Sequence, residues 1–103
     1  MGAVKSITHS FTANEYLFWY IEQKKIPQIK EVLDQKPELI NCNLTVNYKT
    51  TPLHRVAFLG NMEIAQLLVE GYKAEIDYKT SLGETPLMAA AKRDKLDMTI
   101  YLL

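Results

Sequence analysis

Cysteine is nearly absent: Cys42 is the single thiol in a chain of 103 residues. One thiol cannot close an internal disulfide or build a cysteine-rich zinc site. Glycine and proline, four of each, are too few for a collagen-like or low-complexity chain. Neither sign of charge dominates, because 12 Lys and Arg balance 12 Asp and Glu. A polyanion-binding domain carries a basic excess or stripe, so no nucleic-acid partner is expected. No apolar run approaches the roughly 20 residues that cross a bilayer, so no transmembrane segment is expected. What is present is ordinary, with 48% hydrophobic and 23% charged residues. That is enough for one core and too little for two. The composition points to an intracellular, cytoplasmic globular module.

Internal similarity decides the fold class. Thr51-Pro52-Leu53-His54 recurs as Thr85-Pro86-Leu87-Met88, a shift of 34 residues. At that shift Val56-Ala57 falls on Ala90-Ala91, Met62 on Leu96, Ile64 on Met98 and Leu68-Val69 on Leu102-Leu103. A more diverged copy lies upstream at a shift of 36 residues. Its Leu17, Tyr20-Ile21, Ile26, Ile29 and Val32-Leu33 oppose Leu53, Val56-Ala57, Met62, Ala65 and Leu68-Val69. The two extra residues fit the loop between Asn41 and Thr51, where insertion is tolerated. Spaced agreement of this kind marks stacked repeats.

Each copy reads as two short helices. A threonine N-cap accepts from an orphan N–H, and proline in the next position sacrifices no needed donor, so Thr51-Pro52 and Thr85-Pro86 open first helices. Thr12-Ala13-Asn14-Glu15 is a capping box, with Phe11 and Tyr16 at the staple positions. Gly60 suits the left-handed residue that ends a helix, and Asp94 is a tolerable substitute there. Lys24 at the matching place predicts a somewhat different turn in the first copy. Second helices are expected near 62–70 and 96–103, where apolar residues recur at helical spacing.

With these residues in view, the chain resembles the ankyrin-repeat family, whose signature is T-P-L-H-x-A at a period of about 33. Residues 51–68 follow it closely; Met88 replaces the histidine in the third copy, and Glu15-Tyr16-Leu17-Phe18 takes the tetrapeptide's place in the first. The resemblance implies an all-α solenoid of paired helices, with two full repeats and an incomplete third. Boundaries are expected at 12–47, 48–81 and 82–103 after a flexible tail, 1–11. It further implies that His54 ties neighbouring repeats together by hydrogen bonds, and that partners dock on the hairpin tips and the exposed side of the first helices. By register that surface comprises Tyr48, Thr50, Phe58, Leu59, Ser81, Leu82, Glu84, Lys92 and Arg93.

Phe58 and Leu59 stand in a slot that is usually polar, so they are either binding anchors or packing under the 43–50 loop. In the run Tyr16-Leu17-Phe18-Trp19-Tyr20, five consecutive residues cover every side of a helix, so not all can be core. Trp19 aligns with the variable Arg55 and is the member expected to face outward, as a partner contact.

No catalytic, cofactor or metal site is expected. A catalytic base would not be a repeated position, and His54 has a repeat counterpart in Met88. His9 lies in a polar tail without a partner in view. Cys42 reads as an inert packed thiol beside Ile40. Asp94 and Asp97 beside Lys92, Arg93 and Lys95 read as a solvated face. Phosphate loops and nucleophile elbows are missing.

The ends carry two further expectations. Met1-Gly2-Ala3-Val4-Lys5-Ser6 fits the N-myristoylation pattern, making Gly2 a candidate for lipid anchoring to a membrane. The last helix stops on apolar residues, and Leu96, Ile100 and Leu103 form a stripe that further repeats or another subunit would cover. The function expected is a non-catalytic protein-binding scaffold or adaptor within a larger protein or assembly. Alternatives are an N-terminal recruitment region of a longer enzyme or channel, and a myristoylated adaptor.

Overall fold

Threonine starts every first helix. In the computed structural model, which describes residues 12–44 and 49–103, Thr12 precedes α1 (Ala13–Glu22) and closes a full capping box. Its hydroxyl accepts from the Glu15 N–H at 3.2 Å, and the Glu15 carboxylate accepts from the Thr12 N–H at 2.8 Å. Thr51 caps α3 (Pro52–Leu59) and Thr85 caps α5 (Pro86–Lys92), each with proline in the first turn. The second helices are α2 (Ile26–Gln35), α4 (Met62–Gln66) and α6 (Leu96–Leu102). Of these, α4 has a side-chain cap, Asn61 accepting from the Ile64 N–H at 3.0 Å. A 3-10 turn (Pro37–Asn41) follows α2 and buries Leu39 and Ile40. Where simple helix is expected to run to residue 70, α4 instead widens into a π-helical turn (Leu67–Gly71). No strand occurs among the described residues.

The turns between paired helices correct one expectation. Lys24 does not make a different turn. Its φ of 58° matches the 76° of Gly60 and the 57° of Asp94. All three turns close with the same bonds: Lys25 N–H to Tyr20 C=O at 2.9 Å, Asn61 to Val56 at 3.3 Å and Lys95 to Ala90 at 3.0 Å. This six-residue closure satisfies the last carbonyls of the helix. At Lys24 the six-residue closure thus forms with a lysine in a left-handed backbone for which it has no preference. At Gly60 a second constraint applies, since an added Cβ would lie 2.7 Å from Lys95 Cδ.

First helices stack side by side, α1 on α3 and α3 on α5, and each second helix packs against its own first helix. Leu17 and Ile21, then Leu53, Val56 and Ala57, then Ala89 and Ala90 are buried along the first row. Ile29 and Leu33, Ile64 and Leu68, and Met98 and Leu102 fill the second. Each large aliphatic side chain removed from water contributes about 1.5–3 kcal/mol. The row is elongated, with principal extents of 42 × 26 × 23 Å.

Candidate binding surface

His54 is committed to structure. Its Nε2 lies 2.7 Å from the Glu84 carbonyl oxygen, which can only accept, so Nε2 carries the proton. Nδ1 then accepts from the Thr51 hydroxyl at 2.7 Å and from the Thr51 N–H at 3.3 Å. One neutral imidazole thus caps its own helix and clamps the second copy to the lead-in of the third. Burial lowers its pKa, outweighing the opposing pull of Glu84.

Above this clamp, the C-terminal ends of α1, α3 and α5 meet in a charged aromatic ladder. Arg55 of α3 forms a two-pronged ion pair with Glu22 of α1, including Nη2 to Oε1 at 3.0 Å. That hydrogen bond raises the Arg55 pKa, against a smaller effect of burial. The Arg55 guanidinium lies 5.7 Å from the Phe18 ring centroid and 5.0 Å from that of Phe58. Arg93, just past α5, lies 4.6 Å from the centroid of Phe58. Phe58 is therefore half-buried, packed against the core and flanked by two cations. It is not a bare apolar anchor. Leu59 beside it is also half-buried and packed on the core.

The other expected surface residues scatter around this ladder. Trp19 faces outward with 52% of its surface in solvent, its ring edge-on to Tyr20. Ser81 and Leu82 are exposed at the hairpin tip, which Thr80 organises by accepting from the Leu82 and Glu84 N–H groups. Glu84 pairs with Lys92 at 2.9 Å. Thr50 is half-buried, and its carbonyl accepts from the Leu44 N–H at 2.6 Å. Tyr48, Gly2, His9 and Phe11 lie outside the described residues.

Several cross-copy ties escape sequence reasoning. Tyr72 donates to Asp34 at 2.5 Å, Tyr101 donates to Glu70 at 2.6 Å, and Asn41 accepts from the Glu75 N–H at 2.9 Å. Loss of solvent and the carboxylate acceptor push each phenol up to about 12. Desolvation likewise pushes half-buried Cys42 up to about 11, leaving a protonated thiol. No trio of His, Cys, Asp or Glu among the described residues could hold a metal ion, and no described helix is long and apolar enough to cross a membrane.

The terminal stripe also needs correction. Leu96, Ile100 and Leu103 are 68%, 60% and 85% exposed. Ile100 corresponds to Lys30 and Gln66, which remain exposed although a copy is stacked beyond each. Leu103 corresponds to Leu33 and Val69, and Leu96 to Ile26 and Met62, all at least half-buried. Stacking therefore covers the positions of Leu96 and Leu103. The position of Ile100 belongs to a different, outward face.

Three paired-helix copies, threonine-capped first helices and the histidine clamp define a helical repeat solenoid. A family model of ankyrin repeats in three copies matches residues 17–103, and the chain belongs to the ankyrin-repeat family. Members of this family generally mediate protein–protein interaction and are generally non-catalytic. Over 88 residues the chain is 32% identical to ankyrin repeat and SAM domain-containing protein 6 of Mus musculus. The aligned segment covers 84% of this chain and 10% of that protein, so the chain spans about a tenth of the relative's length.

Proposed function

We propose that the chain is a non-catalytic adaptor or scaffold segment of a larger cytoplasmic protein or assembly, binding a protein partner along the ends of its first helices and its hairpin tips. The segment comprises the tail 1–11 and the ankyrin domain 12–103, with repeats 12–47, 48–81 and 82–103. The observation that carries this reading is the pair of large side chains left in solvent, Trp19 on α1 and Leu82 at the hairpin tip. Exposed aromatics in such positions supply much of an interface's energy.

The test compares affinity capture by the chain with capture by Trp19→Ser/Leu82→Ser, after confirming equal melting of the two. Proteins retained by the parent and lost with the variant support the reading. A captured set identical to that of an unrelated helical bait would refute it. A second reading, a myristoylated membrane-tethered adaptor, rests on the Met1-Gly2-Ala3-Val4-Lys5-Ser6 pattern. Intact mass of the protein made in eukaryotic cells, with and without Gly2→Ala, decides it.

A further inference from the structure

The ladder contains one cation with no counterion. Arg55 is satisfied by Glu22 and Lys92 by Glu84, the two ion pairs among the described residues. Arg93 has no carboxylate within salt-bridge reach, and its guanidinium donates none of the hydrogen bonds in the described structure. The residues outside the description, 1–11 and 45–48, contain no acidic side chain that could answer it. The local sum of Arg55, Arg93 and Glu22 is therefore one positive charge.

Arg93 is also held in place. Its guanidinium rests over the Phe58 ring at 4.6 Å, and that of Arg55 lies over the same ring at 5.0 Å. A cation over an aromatic face engages the ring's π cloud and leaves its in-plane N–H donors free. Those donors form a planar fork that matches a carboxylate bidentately. Because the ring already restricts the side chain, less conformational entropy is lost when an anion binds.

We propose that Arg93, seated on Phe58, is the receptor for an aspartate or glutamate carboxylate of a protein partner's peptide segment, and so confers a preference for acidic residues on this surface. The inference rests on the reading of the chain as a protein-binding module. Charge complementarity identifies the occupant: the site has one unanswered positive charge, fork geometry, and no wider basic field of the kind a polyanion requires.

A random peptide library displayed on phage, panned against the whole 103-residue chain, tests this. Peptides selected by the parent are expected to share an acidic position. Arg93→Gln should abolish that preference and weaken a representative peptide by about tenfold or more, as removal of a charged hydrogen bond does. Replacing the peptide's own Glu by Gln should cost the parent the same and cost Arg93→Gln almost nothing further. Phe58→Leu, which keeps an apolar group but removes the ring, should also reduce the acid preference at an unchanged helical spectrum. Lys92→Gln should not, since that charge is already answered. Selected peptides without an acidic position, or an acid preference that survives Arg93→Gln, would overturn the receptor while leaving the binding module standing. Failure to retain any peptide above an unrelated helical protein would count against both.

Discussion

Lysine at position 24 occupies a backbone geometry that glycine adopts without strain. Its left-handed φ costs an L-residue about 1–2 kcal/mol, part of which glycine forfeits through greater freedom in the unfolded chain. Lys24→Gly is accordingly expected to stabilise the fold by about 0.5–1 kcal/mol in urea melts. Gly60→Ala should do the reverse, by about 1–2 kcal/mol, because it meets both the same φ and the Lys95 stem. His54 sets a pH dependence. Its folded pKa is lowered by burial, so the unfolded chain binds the proton more readily. Stability is therefore full above the ordinary histidine pKa of about 6.5 and declines as pH falls from there toward the lower folded value. Protonation also removes the Nδ1 acceptor that Thr51 uses. The melting temperature should fall between pH 7 and 5 with a steeper slope in the parent than in His54→Gln; parallel slopes would show that other groups set the pH response.

Helix α3 carries the most at the scale of elements, since it touches both neighbours and supplies the histidine clamp, the Glu22 partner and the Phe58 ring. Phe58 and Leu59 straddle core and surface. Changing both to Ser is expected to weaken partner binding by about 2 kcal/mol and to lower stability by about 2–3 kcal/mol, read separately by titration and by denaturant melts. A double variant that melts like the parent would remove both residues from the packing. The helices themselves were legible because their determinants are local: a threonine before a proline, a capping box within four residues, apolar residues at helical spacing. Pairs such as Glu22 with Arg55 and Tyr72 with Asp34 were not, because they depend on how far one helix is rotated against the next. Lys24 concealed its turn for a different reason. Its side chain has no left-handed preference, so geometry imposed by neighbours overrode identity. The proposed binding surface is legible as a set of register positions, but not as the two cations over Phe58 that set Arg93 apart.

At the scale of the whole 103-residue chain, Leu96, Ile100 and Leu103 leave an apolar surface at α6. A designed polar capping repeat added after Leu103 should cover Leu96 and Leu103, raise the melting temperature by several degrees and suppress self-association. Ile100→Lys places there what Lys30 supplies in the first copy. It should change stability by less than about 0.5 kcal/mol yet reduce association further, even in the capped protein. Light scattering coupled to gel filtration reads both effects. A monodisperse bare chain, melting as high as the capped one, would sink the proposal.

The cross-copy side-chain bonds have a mechanical consequence. His54 to Glu84, Arg55 to Glu22, Tyr72 to Asp34, Asn41 to Glu75 and Tyr101 to Glu70 each join adjacent copies, and none joins the first copy to the third. Load applied between the two ends is then carried by two clamps in series, each of which can fail without the other. Pulled in an optical trap, the chain should lengthen in discrete steps of about 12 nm, the contour of one 34-residue copy at roughly 3.5 Å per residue. Removing the histidine clamp should lower the force of only the step that parts the second copy from the third.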